Sequence, residues 1–460
     1  MKRIATNLFS LICAVFCLFS TTGNPASAQD ILYEIPGLTP DNAIVRHWNS
    51  DFDVIYSSNA NSVHFTVVDY AGFTAYDIST AVFAPIKIND FEISDDNVYF
   101  CGTATVGSAM PIFGYFRIPD VIAGSVPINV YLLWTPCAST FTQNTTESIT
   151  DLLKIEVQQC PDGFHAYMIG RAYWTNAIAP PRCIVDFRHT TLWDSCSFAQ
   201  QHSGLFAYDD IAVTQNEVIA VGHKNGGGNL YLTNFGRPAL AAQDVFSLSS
   251  GQYFGNAIGC TGTTMLDSAY LIEHLHDDLF AVVGFTGDAT TSYETNLSIY
   301  NGSLNWVDQV IIPQGQPKYP LSLKELKYNK QKELLYLLQD MEYPIANTVN
   351  SVACAFQLSP MGNILNAWAS YEPGVEYYSL DQGYPDKHAI AVGQNPDMRL
   401  WSIRSAFMST PCVVGGSLPY KQISWTNADD IYKHFPCYFQ PASSILPVQT
   451  VTYSLKKICR

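Results

Sequence analysis

A short pattern of apolar and polar residues recurs along the chain. It consists of an apolar strand with alternating side chains, a polar turn, a second and more apolar strand, and a closing glycine. Clear copies occupy residues 91–102 and 211–222, and looser copies end at Gly284 and Gly393. Alternation over five to eight residues is typical of half-buried strands, so each copy predicts two antiparallel strands joined by a tight turn.

The copies are spaced by about 55 residues, which indicates a repeat architecture. Further copies end at Gly170 and at Gln339, where glutamine replaces the glycine, and a degenerate first copy ends at Ser57. After each copy comes a variable loop and a third apolar segment, which in the first copy is residues 72–78. Residues 321–338 are rich in helix formers, but their place in the repeat predicts strands. The chain therefore divides into seven units of at least three strands.

Seven all-β units with polar turns resemble the β-propeller superfold, over residues 30–460. One twisted sheet buries neither face alone, whereas a ring of sheets buries both. The strand–turn–strand phrase resembles that of WD-type blades. The Gly-His and Trp-Asp dipeptides of that family do not recur, and sialidase-type Asp-boxes are absent, so no specific family is assigned. The resemblance implies an all-β fold, a seven-bladed β-propeller with about 55 residues per blade. A pair of β-sandwiches is the alternative, and the regular period disfavours it.

The two ends of the chain carry strand patterns that suit ring closure. Residues 31–35 form a short apolar stretch, and residues 450–456 alternate, with Val451, Tyr453 and Leu455 on one side. We expect one terminus to complete a blade begun by the other.

The first 28 residues match a secretory signal peptide. Lys2 and Arg3 precede an apolar stretch at residues 8–19, and residues 26–28 read Ala-Ser-Ala. The apolar stretch is too short to span a membrane, and no later stretch approaches twenty apolar residues. The sequence predicts a secreted protein, extracellular or periplasmic, without membrane insertion and with one propeller domain over residues 29–460.

The charge of the chain narrows the possible partners. Residues 1–28 hold two bases and no acid, so the remainder has 22 basic and 40 acidic residues and a net charge of −18. This sign argues against nucleic acid and anionic membrane surfaces as partners, because both would repel the protein. A carbohydrate or a protein ligand is the remaining expectation.

Ten cysteines follow the signal peptide, and an even number in an exported chain favours disulfides. Cys183–Cys196 and Cys412–Cys437 are the simplest pairings, and a buried free cysteine is the alternative for any one of them. No zinc-type spacing occurs. His274 and His276 share a strand face without a third ligand, so packing is favoured over metal binding. We expect no metal and no cofactor.

The candidate binding residues lie in the loops between second and third strands, which cluster at one mouth of a propeller channel. Loops held on a rigid scaffold commonly carry function, and aromatic rings offer stacking surfaces for sugars or peptides. The alternative for Trp174 is that it packs under its own loop. The candidate ligand-binding residues are Arg171, Tyr173, Trp174, Tyr293 and Tyr343.

Two carboxylate pairs in the same loops are candidates for glycoside hydrolysis, which needs two acids about 5–10 Å apart. They are Asp288 with Glu294, and Asp340 with Glu342. Forty acidic residues produce such pairs by chance, so the signal is weak. The doublets at residues 95–96 and 277–278 fall in first-to-second-strand turns on the opposite face, where aspartate suits the turn backbone.

Three functions remain from these observations. The first is a secreted binding module for carbohydrate or protein, favoured because no catalytic motif rises above chance. The second is a carbohydrate-active enzyme, a hydrolase or lyase, that uses the acids at the same mouth. The third is a structural surface or adhesion protein. The fold does not choose among them.

Overall fold

The computed structural model describes most of the chain between Asp30 and Cys459. The described residues are 30–59, 62–81, 86–106, 108–125, 128–134, 148–160, 163–173, 182–189, 194–201, 206–214, 217–224, 230–234, 250–254, 268–286, 294–303, 306–313, 321–342, 348–383, 389–403, 413–418, 421–422, 427–429, 432–441 and 449–459. The predicted signal peptide lies outside them. Among the described residues, no helix is long and apolar enough to cross a membrane.

The described strands form six antiparallel sheets, which we number along the chain. Sheet I contains β2 (Asn42–Asn49), β3 (Phe52–Ser58), β4 (Ser62–Asp69) and β5 (Thr74–Ala81). Sheet II contains β6 (Ile86–Ser94), β7 (Asn97–Val106), β8 (Ser108–Arg117), β9 (Asn129–Trp134), β10 (Ser148–Cys160), β11 (Gly163–Tyr173), β12 (Arg182–His189) and β13 (Asp194–Gln201). A single helical turn, α1 (Ile118–Ile122), links β8 to β9.

The remaining sheets repeat the four-strand arrangement. Sheet III contains β14 (Phe206–Val213), β15 (Val218–Lys224), β16 (Leu230–Asn234) and β17 (Ser250–Phe254). Sheet IV contains β18 (Ser268–His274), β19 (Leu279–Thr286), β20 (Glu294–Asn301) and β21 (Trp306–Pro313). Sheet V contains β22 (Leu323–Asn329), β23 (Leu334–Glu342), β24 (Val349–Leu358) and β25 (Ile364–Tyr371). Sheet VI contains β26 (Glu376–Gln382), β27 (Ala389–Asn395), β28 (Asp397–Ile403) and β1 (Ile31–Ile35).

The sheets form a ring of the propeller type, which confirms the predicted all-β class. The first strand of each four-strand run contacts the first strand of the next, from β2 through β6, β10, β14, β18 and β22 to β26, and β26 contacts β2. These first strands surround the channel. Seven separate blades are not confirmed, because the described strands form five five-stranded sheets and one nine-stranded sheet. Residues 321–338 form β22 and β23, as their place in the repeat predicted.

Apolar side chains on both faces of each sheet pack against the neighbouring sheets. Phe65 lies at the centre of a cluster between sheets I and II, with its ring 5.7 Å from Phe91 and 4.9 Å from Phe116. Along β23, successive residues such as Leu335 and Tyr336 belong to clusters on opposite faces of the sheet, toward sheets IV and VI respectively. The second strands therefore read as nearly continuous apolar runs, since neither face reaches water.

The recurring glycine lies beside a β-bulge in the first strand. In β6 the register shifts just after Ile88, which pairs with Gly102, and in β26 it shifts just after Tyr377, which pairs with Gly393. A Cβ atom on Gly102 would lie 2.8 Å from the Ile88 Cα, and one on Gly393 would lie 2.9 Å from the Tyr377 Cα. The bulge brings two backbones so close that a side chain would clash, which explains the repeated glycine.

The first unit lacks both the glycine and this bulge. Ser57 pairs with Ala43 in regular register, and the only shift between β2 and β3 lies at the turn, between His47 and Asn49. The segment at residues 72–78, predicted as a third strand, belongs to the fourth strand, β5, because β4 precedes it. This prediction was wrong because β4 follows β3 after a very short loop.

The ring closes where the sequence predicted, at the N-terminal strand. β1 pairs with β28 from Ile31 opposite Ser402 to Ile35 opposite Met398, so it is the fourth strand of a sheet begun by the end of the repeat. Trp401 of this sheet is fully buried and donates to the Asp30 carboxylate at 3.0 Å.

The C-terminal segment forms a belt around the ring. Its strands are β29 (Val414–Ser417), β30 (Lys421–Gln422), β31 (Asn427–Asp429), β32 (Tyr432–Pro441), β33 (Gln449–Ser454) and β34 (Lys456–Cys459). They pair in turn with the outermost strands of sheets V, IV, III, II, I and VI, so this C-terminal belt runs round the ring against the chain order. β32 pairs with both β13 and β9, and it thereby joins the two halves of sheet II.

The sequence allowed either disulfides or buried free cysteines, and two of the described cysteines are of the second kind. Cys101 and Cys354 are buried and free. Cys183 lies opposite Gln200, and Cys196 lies opposite Phe187, so Cys183 and Cys196 are four residues apart along the paired strands. That offset is about 13 Å, beyond the reach of a disulfide, and the pairing Cys183–Cys196 is wrong. The backbone register instead places Cys437 opposite Cys196, whereas Cys412 lies outside the described residues.

Candidate functional site

Ionisable side chains from the first strands converge on the channel. They lie in the later halves of the first strands and, outside the first unit, follow the bulge, as in Asp90-Phe91-Glu92, where the intervening phenylalanine is buried between sheets. The β-alternation therefore sends charge to the channel and apolar groups to the sheet interfaces. The group comprises Arg46, Asp90, Glu92, Lys154, Glu156, Asp210, Glu273, Glu325, Lys327 and Asp381. We call these ten residues the channel cluster.

Arg46 is the centre of the channel cluster. Its guanidinium lies 2.7 Å from Asp90, 2.7 Å from Glu92 and 3.4 Å from Glu325, and only 2% of its side chain is exposed. Asp90 and Glu92 come from the neighbouring β6, whereas Glu325 comes from β22. One side chain therefore links three strands of the ring, in a geometry that arginine's planar fork of donors suits.

Two lysines extend the network. Lys154 Nζ lies 3.9 Å from Asp90 and 4.0 Å from Glu325, and Lys327 Nζ lies 3.4 Å from Glu92. Burial works to lower the pKa of Lys154, but Asp90 and Glu325 outweigh it and raise that pKa. Burial also works to lower the pKa of Lys327, but Glu92 outweighs it and raises that pKa, so both lysines stay charged over the physiological range.

Several carboxylates tie neighbouring four-strand runs of the ring together through backbone amides. Asp90 accepts from Phe91 N at 2.9 Å and from Ile155 N of β10 at 3.3 Å. Asp210 does the same with Ile272 N of β18 at 3.0 Å. Asp381 accepts from His47 N of β2 at 2.6 Å, which bridges the last sheet to the first. These bridges fix the angular position of adjacent four-strand runs.

A cavity of about 210 Å³ lies at one end of the channel. Its lining comprises Arg46, His47, Glu92, Ile93, Glu156, Ala212, Val213, Glu273, His274, Lys327, Asp381 and Gln382. These residues occupy the later halves of the first strands, beside the first-to-second-strand turns. The cavity is thus at the mouth opposite to the one that the loop argument favoured.

The carboxyl groups around this cavity fall into two classes of pKa. Burial raises the pKa of Glu273 to about 8 and that of Glu156 well above its usual range. Burial also opposes ionisation of Glu92, but Lys327 and Arg46 outweigh it and lower its pKa. The channel cluster has seven acids against three bases. The cations therefore hold some carboxylates ionised while others retain a proton near neutral pH.

A His–Asp pair lies at the edge of the cavity. His47 lines the cavity, and its Nδ1 lies 2.7 Å from Asp53 Oδ1, a carboxylate that is fully buried. The second histidine of the lining, His274, contacts the following turn, because its Nε2 lies 3.0 Å from the carbonyl oxygen of Asp277. His274 and His276 are thus held by the turn, and within the described part of the chain no group of three or more His, Cys, Asp or Glu could hold a metal ion.

The turn aspartates behave as their position predicted. Asp95 and Asp277 adopt positive φ values of 53° and 50°, which small polar residues tolerate in tight turns. They are exposed, and their role is to shape the backbone at this mouth.

Two of the five predicted binding residues, Arg171 and Tyr173, lie in the described part of the chain. Arg171 lies at the end of β11, with its side chain 41% exposed and its guanidinium 4.0 Å from Asp151. Tyr173 ends the same strand. Trp174, Tyr293 and Tyr343 lie outside the described residues, as does the acid Asp288. The stacking surface at that mouth stays a prediction.

Asp340 and Glu342, the carboxylate pair that lies wholly within the described residues, share one face of β23, whereas Glu294 of the other pair lies on a different sheet face. Asp340 lies 2.8 Å from Lys324 Nζ and accepts from Ser351 at 2.8 Å. Its neighbour Gln339 accepts from Thr295, next to Glu294, at 2.6 Å across sheets IV and V. Because successive strand residues point to opposite faces, Glu294 and Asp340 lie on the far faces of those sheets. Glu342 shares the Asp340 face, at the end of β23.

The channel cluster was not predicted from the sequence, although the sequence contains a repeated pattern that indicates it. The motifs at residues 90–92, 154–156 and 325–327 all read charged–apolar–charged at the same point of the repeat. These motifs lie in the first strands of their units, whereas the site residues were predicted in loops. A charged residue on both sides of an apolar one, repeated in register, indicates a polar inner face of the ring.

Comparisons with known proteins do not indicate a function, so the functional argument rests on the residues described above. No protein-family profile matches the chain, and no curated protein sequence is significantly similar to it. A solved structure of an uncharacterized protein, lmo1340, from Listeria monocytogenes EGD-e matches with a TM-score of 0.37 and 9% identity, covering 83% of this chain and 97% of that chain. A likeness this distant carries no argument about function.

Proposed function

We propose that this chain is a secreted, seven-bladed propeller that binds a positively charged group of a protein partner in the cavity at the channel end. The observation that carries the proposal is the imbalance of the channel cluster, in which seven acids and three bases surround the channel. A cation entering the cavity would supply the missing countercharge.

The blade number rests on how sheet II is counted. Its strands β6–β9 and β10–β13 are two runs of four, and among the described strands they are joined by main-chain pairing only through β32 of the C-terminal belt. Each run has its own first strand beside the channel and its own bulge. Counted as two blades, they bring the ring to seven. Secretion rests on the N-terminal pattern of Lys2, Arg3, the apolar stretch and the Ala-Ser-Ala site.

The size and lining of the cavity favour a single charged group over a sugar. Its volume of about 210 Å³ is below the range of about 300–1,000 Å³ typical for drug-sized ligands. Among the described lining residues there is no tryptophan, tyrosine or phenylalanine, so no ring is there for a sugar to stack on. A lysine or arginine side chain suits both the size and the charge.

Binding of a cation should release protons. Burial holds the pKa of Glu273 at about 8, so this carboxyl is mostly protonated at neutral pH. A bound cation favours the ionised form and lowers that pKa. The affinity should therefore rise with pH through neutrality and level off above about 8.

The test is calorimetry with a short peptide that carries one central lysine, compared with the same peptide with that lysine acetylated. The titration is repeated in buffers of different ionisation enthalpy, which counts the released protons. We expect binding of the lysine peptide, tighter at pH 8.5 than at pH 6.5, and none of the acetylated one. Equal affinities for both peptides would contradict the proposal.

Matched variants locate the site. Glu273→Gln keeps the shape and the acceptor for Tyr328 N, which lies 3.3 Å from Glu273, but removes the charge, so it should weaken binding and abolish proton release. Asp278→Asn changes an exposed acid in a turn at the same mouth and should leave binding unchanged. If both variants bind like the parent, the ligand site is elsewhere.

The split pKa values favour glycoside hydrolysis as a second candidate. Two carboxyls of one cavity, one protonated and one ionised, are the groups a glycosidase uses as acid and base. Glu273 would act as the acid and Glu92 as the base. Release of reducing sugar from a polysaccharide panel, lost in Glu273→Gln, would support it, and no release from any polysaccharide would exclude this candidate.

A further inference from the structure

A second chemical constellation lies in sheet I, away from the channel cluster. Ser62 Oγ is 2.7 Å from His64 Nε2, and His64 Nδ1 is 2.8 Å from Asp77 Oδ2. The other carboxylate oxygen of Asp77 accepts from Thr66 Oγ1 at 2.8 Å. A hydroxyl, an imidazole and a buried carboxylate are thus joined in one chain of hydrogen bonds, the arrangement that activates a nucleophilic serine.

The strand geometry holds these groups in place. Ser62, His64 and Thr66 are alternate residues of β4 and share one face of the sheet. Asp77 of β5 lies directly opposite Thr66 in the register. Rigid strands position such groups more precisely than loops do.

The buried carboxylate settles the orientation of the imidazole. The Asp77 side chain has no exposure and that of His64 has 13%. An ionised carboxylate only accepts hydrogen bonds, so His64 donates its Nδ1–H to Asp77. The Nε2 lone pair then faces Ser62, which is half-buried at the start of β4. The histidine is therefore set as a base toward the serine hydroxyl.

The equivalent positions of sheet IV show that this chemistry is not a requirement of the fold. There Asn296 takes the place of His64, Ser298 that of Thr66, and Gln309 that of Asp77, judged by the same strand register. Gln309 Nε2 donates to Asn296 Oδ1 at 2.7 Å, and Ser298 Oγ donates to the same oxygen at 3.0 Å. In sheet IV, side-chain amides and a hydroxyl make these hydrogen bonds. The presence of an imidazole and a carboxylate at the equivalent positions of sheet I therefore needs another explanation.

We propose that Ser62, His64 and Asp77 form a nucleophilic site that takes the acyl group of activated esters. Ser62 Oγ attacks the carbonyl carbon while its proton moves to His64 Nε2. The ester C–O bond then breaks, and the leaving alkoxide or phenoxide takes that proton. His64 Nε2 then takes a proton from a water molecule that attacks the acyl carbon, the bond from that carbon to Ser62 Oγ breaks, and the proton passes from His64 to Ser62 Oγ as the acid product leaves.

The surroundings of Ser62 limit the substrates to good electrophiles. Ser62 N donates to Asn59 Oδ1 at 2.9 Å, so this amide is not available to stabilise an oxyanion. Loss of one oxyanion donor costs about 100- to 1,000-fold in rate in serine hydrolases. Ser62 Oγ also has a second acceptor in Asn59 Oδ1 at 3.0 Å, longer than its contact with His64. Amides and unactivated esters are therefore not expected substrates.

The experiment is labelling of the full chain with a fluorophosphonate probe, followed by peptide mass mapping. Ser62 Oγ displaces fluoride from phosphorus, so each reaction leaves one stable adduct on the residue that reacted. We expect an adduct on Ser62, and none at that peptide in Ser62→Ala. We expect His64→Gln to slow the labelling by at least about 100-fold, because it removes the base.

Controls separate an activated serine from a structural polar layer. Ser298→Ala in sheet IV should leave the labelling rate unchanged, and the melting temperature of each variant shows that the fold is kept. Asp77→Asn should slow labelling without abolishing it, since the imidazole remains. The proposal is overturned if the parent forms no adduct at Ser62, or if His64→Gln reacts as fast as the parent.

Discussion

The inner and outer rims of the ring are held together by different chemistry. At the inner rim, side chains do the joining: Arg46 reaches Asp90, Glu92 and Glu325, and carboxylates such as Asp381 bridge one sheet to the backbone of the next. At the outer rim, the C-terminal belt pairs with every sheet through main-chain hydrogen bonds. The inner rim therefore depends on residue identity, whereas the outer rim depends on a continuous chain.

The exposure of the two rims agrees with this difference. Arg46 has 2% of its surface exposed, whereas Val451 of the belt strand β33 has 42%. A main-chain ladder tolerates many side chains at exposed positions, but a buried ion pair leaves a charge unsatisfied when one partner is removed. The comparison predicts large effects from single substitutions only at the inner rim.

Removal of the end of the belt is expected to have the largest effect. Truncation after Pro441 deletes β33 and β34, and it leaves the edges of β5 and β1 unpaired. The melting temperature should fall by more than in any single substitution below, and exposed edges should promote self-association. Thermal unfolding with light scattering measures both. An unchanged transition would show that the belt does not hold the outer rim.

Removal of the central cation should be the largest effect of a single substitution. Arg46→Ala leaves three carboxylates of the channel cluster without their guanidinium and should cost about 3–5 kcal/mol of unfolding free energy. Chemical denaturation of this variant beside Arg399→Ala, whose side chain lies nearer the surface of sheet VI, measures the contrast. A loss below about 1 kcal/mol would mean that water replaces the ion pairs.

The bridge between the last and first sheets should matter less. Asp381→Asn keeps one acceptor oxygen but turns the other toward His47 N or Gln382 N as a donor. The loss of one buried hydrogen bond should cost about 1–3 kcal/mol. Denaturant unfolding of the variant and of Asp381→Glu, which keeps both acceptors, tests whether the bridge or the charge is responsible.

The protonated acid of the cavity should give the ring a pH-dependent stability. The folded pKa of Glu273 is about 8 against an ordinary value of 4.5, so the unfolded chain ionises first as the pH rises. Its contribution to stability is present below about pH 4.5 and is lost as the pH rises toward 8. The expected loss is about 1–2 kcal/mol after solvent screening. Glu273→Gln should flatten this slope in unfolding measured from pH 5 to 8.

A side chain of the belt should matter least. Thr452 is exposed and lies opposite Tyr76 in the ladder between β33 and β5. Thr452→Ala should change the free energy of unfolding by no more than about 0.5 kcal/mol. A larger loss would show that side chains, and not only the main chain, hold the outer rim.

The sequence predicted the parts of the fold that depend on local pattern. Alternation and turns located β6–β7, β14–β15 and even β22–β23, whose helix formers argued the other way. The apolar stretch at residues 31–35 also predicted that the N-terminal strand takes part in closing the ring. The alternation at residues 450–456 also located β33 of the belt. The course of the belt was not predicted, because two- and three-residue strands such as β30 and β31 have no pattern of their own and exist only against a neighbouring sheet.

The channel cluster, unlike the strands, was not predicted from the sequence. The predicted residues such as Arg171 and Tyr173 lie where the sequence predicted loops that cluster at one mouth, whereas the channel cluster lies inside the repeated strands. Glu92 and Glu273 are far apart in sequence and meet only when the ring closes. Their pKa values depend on burial and on Lys327, which no local pattern reveals.

By itself, the sequence determined the strands, their repeat and the glycine that marks most of the bulges, because these follow from side-chain alternation and backbone sterics over a few residues. Only the tertiary structure decided which charges share the channel, which sheets the belt joins, and that Ser62, His64 and Asp77 form one chain of hydrogen bonds. Coulombic and hydrogen-bond energies depend on distance in space. Those distances arise only when strands far apart in sequence pair and the ring closes.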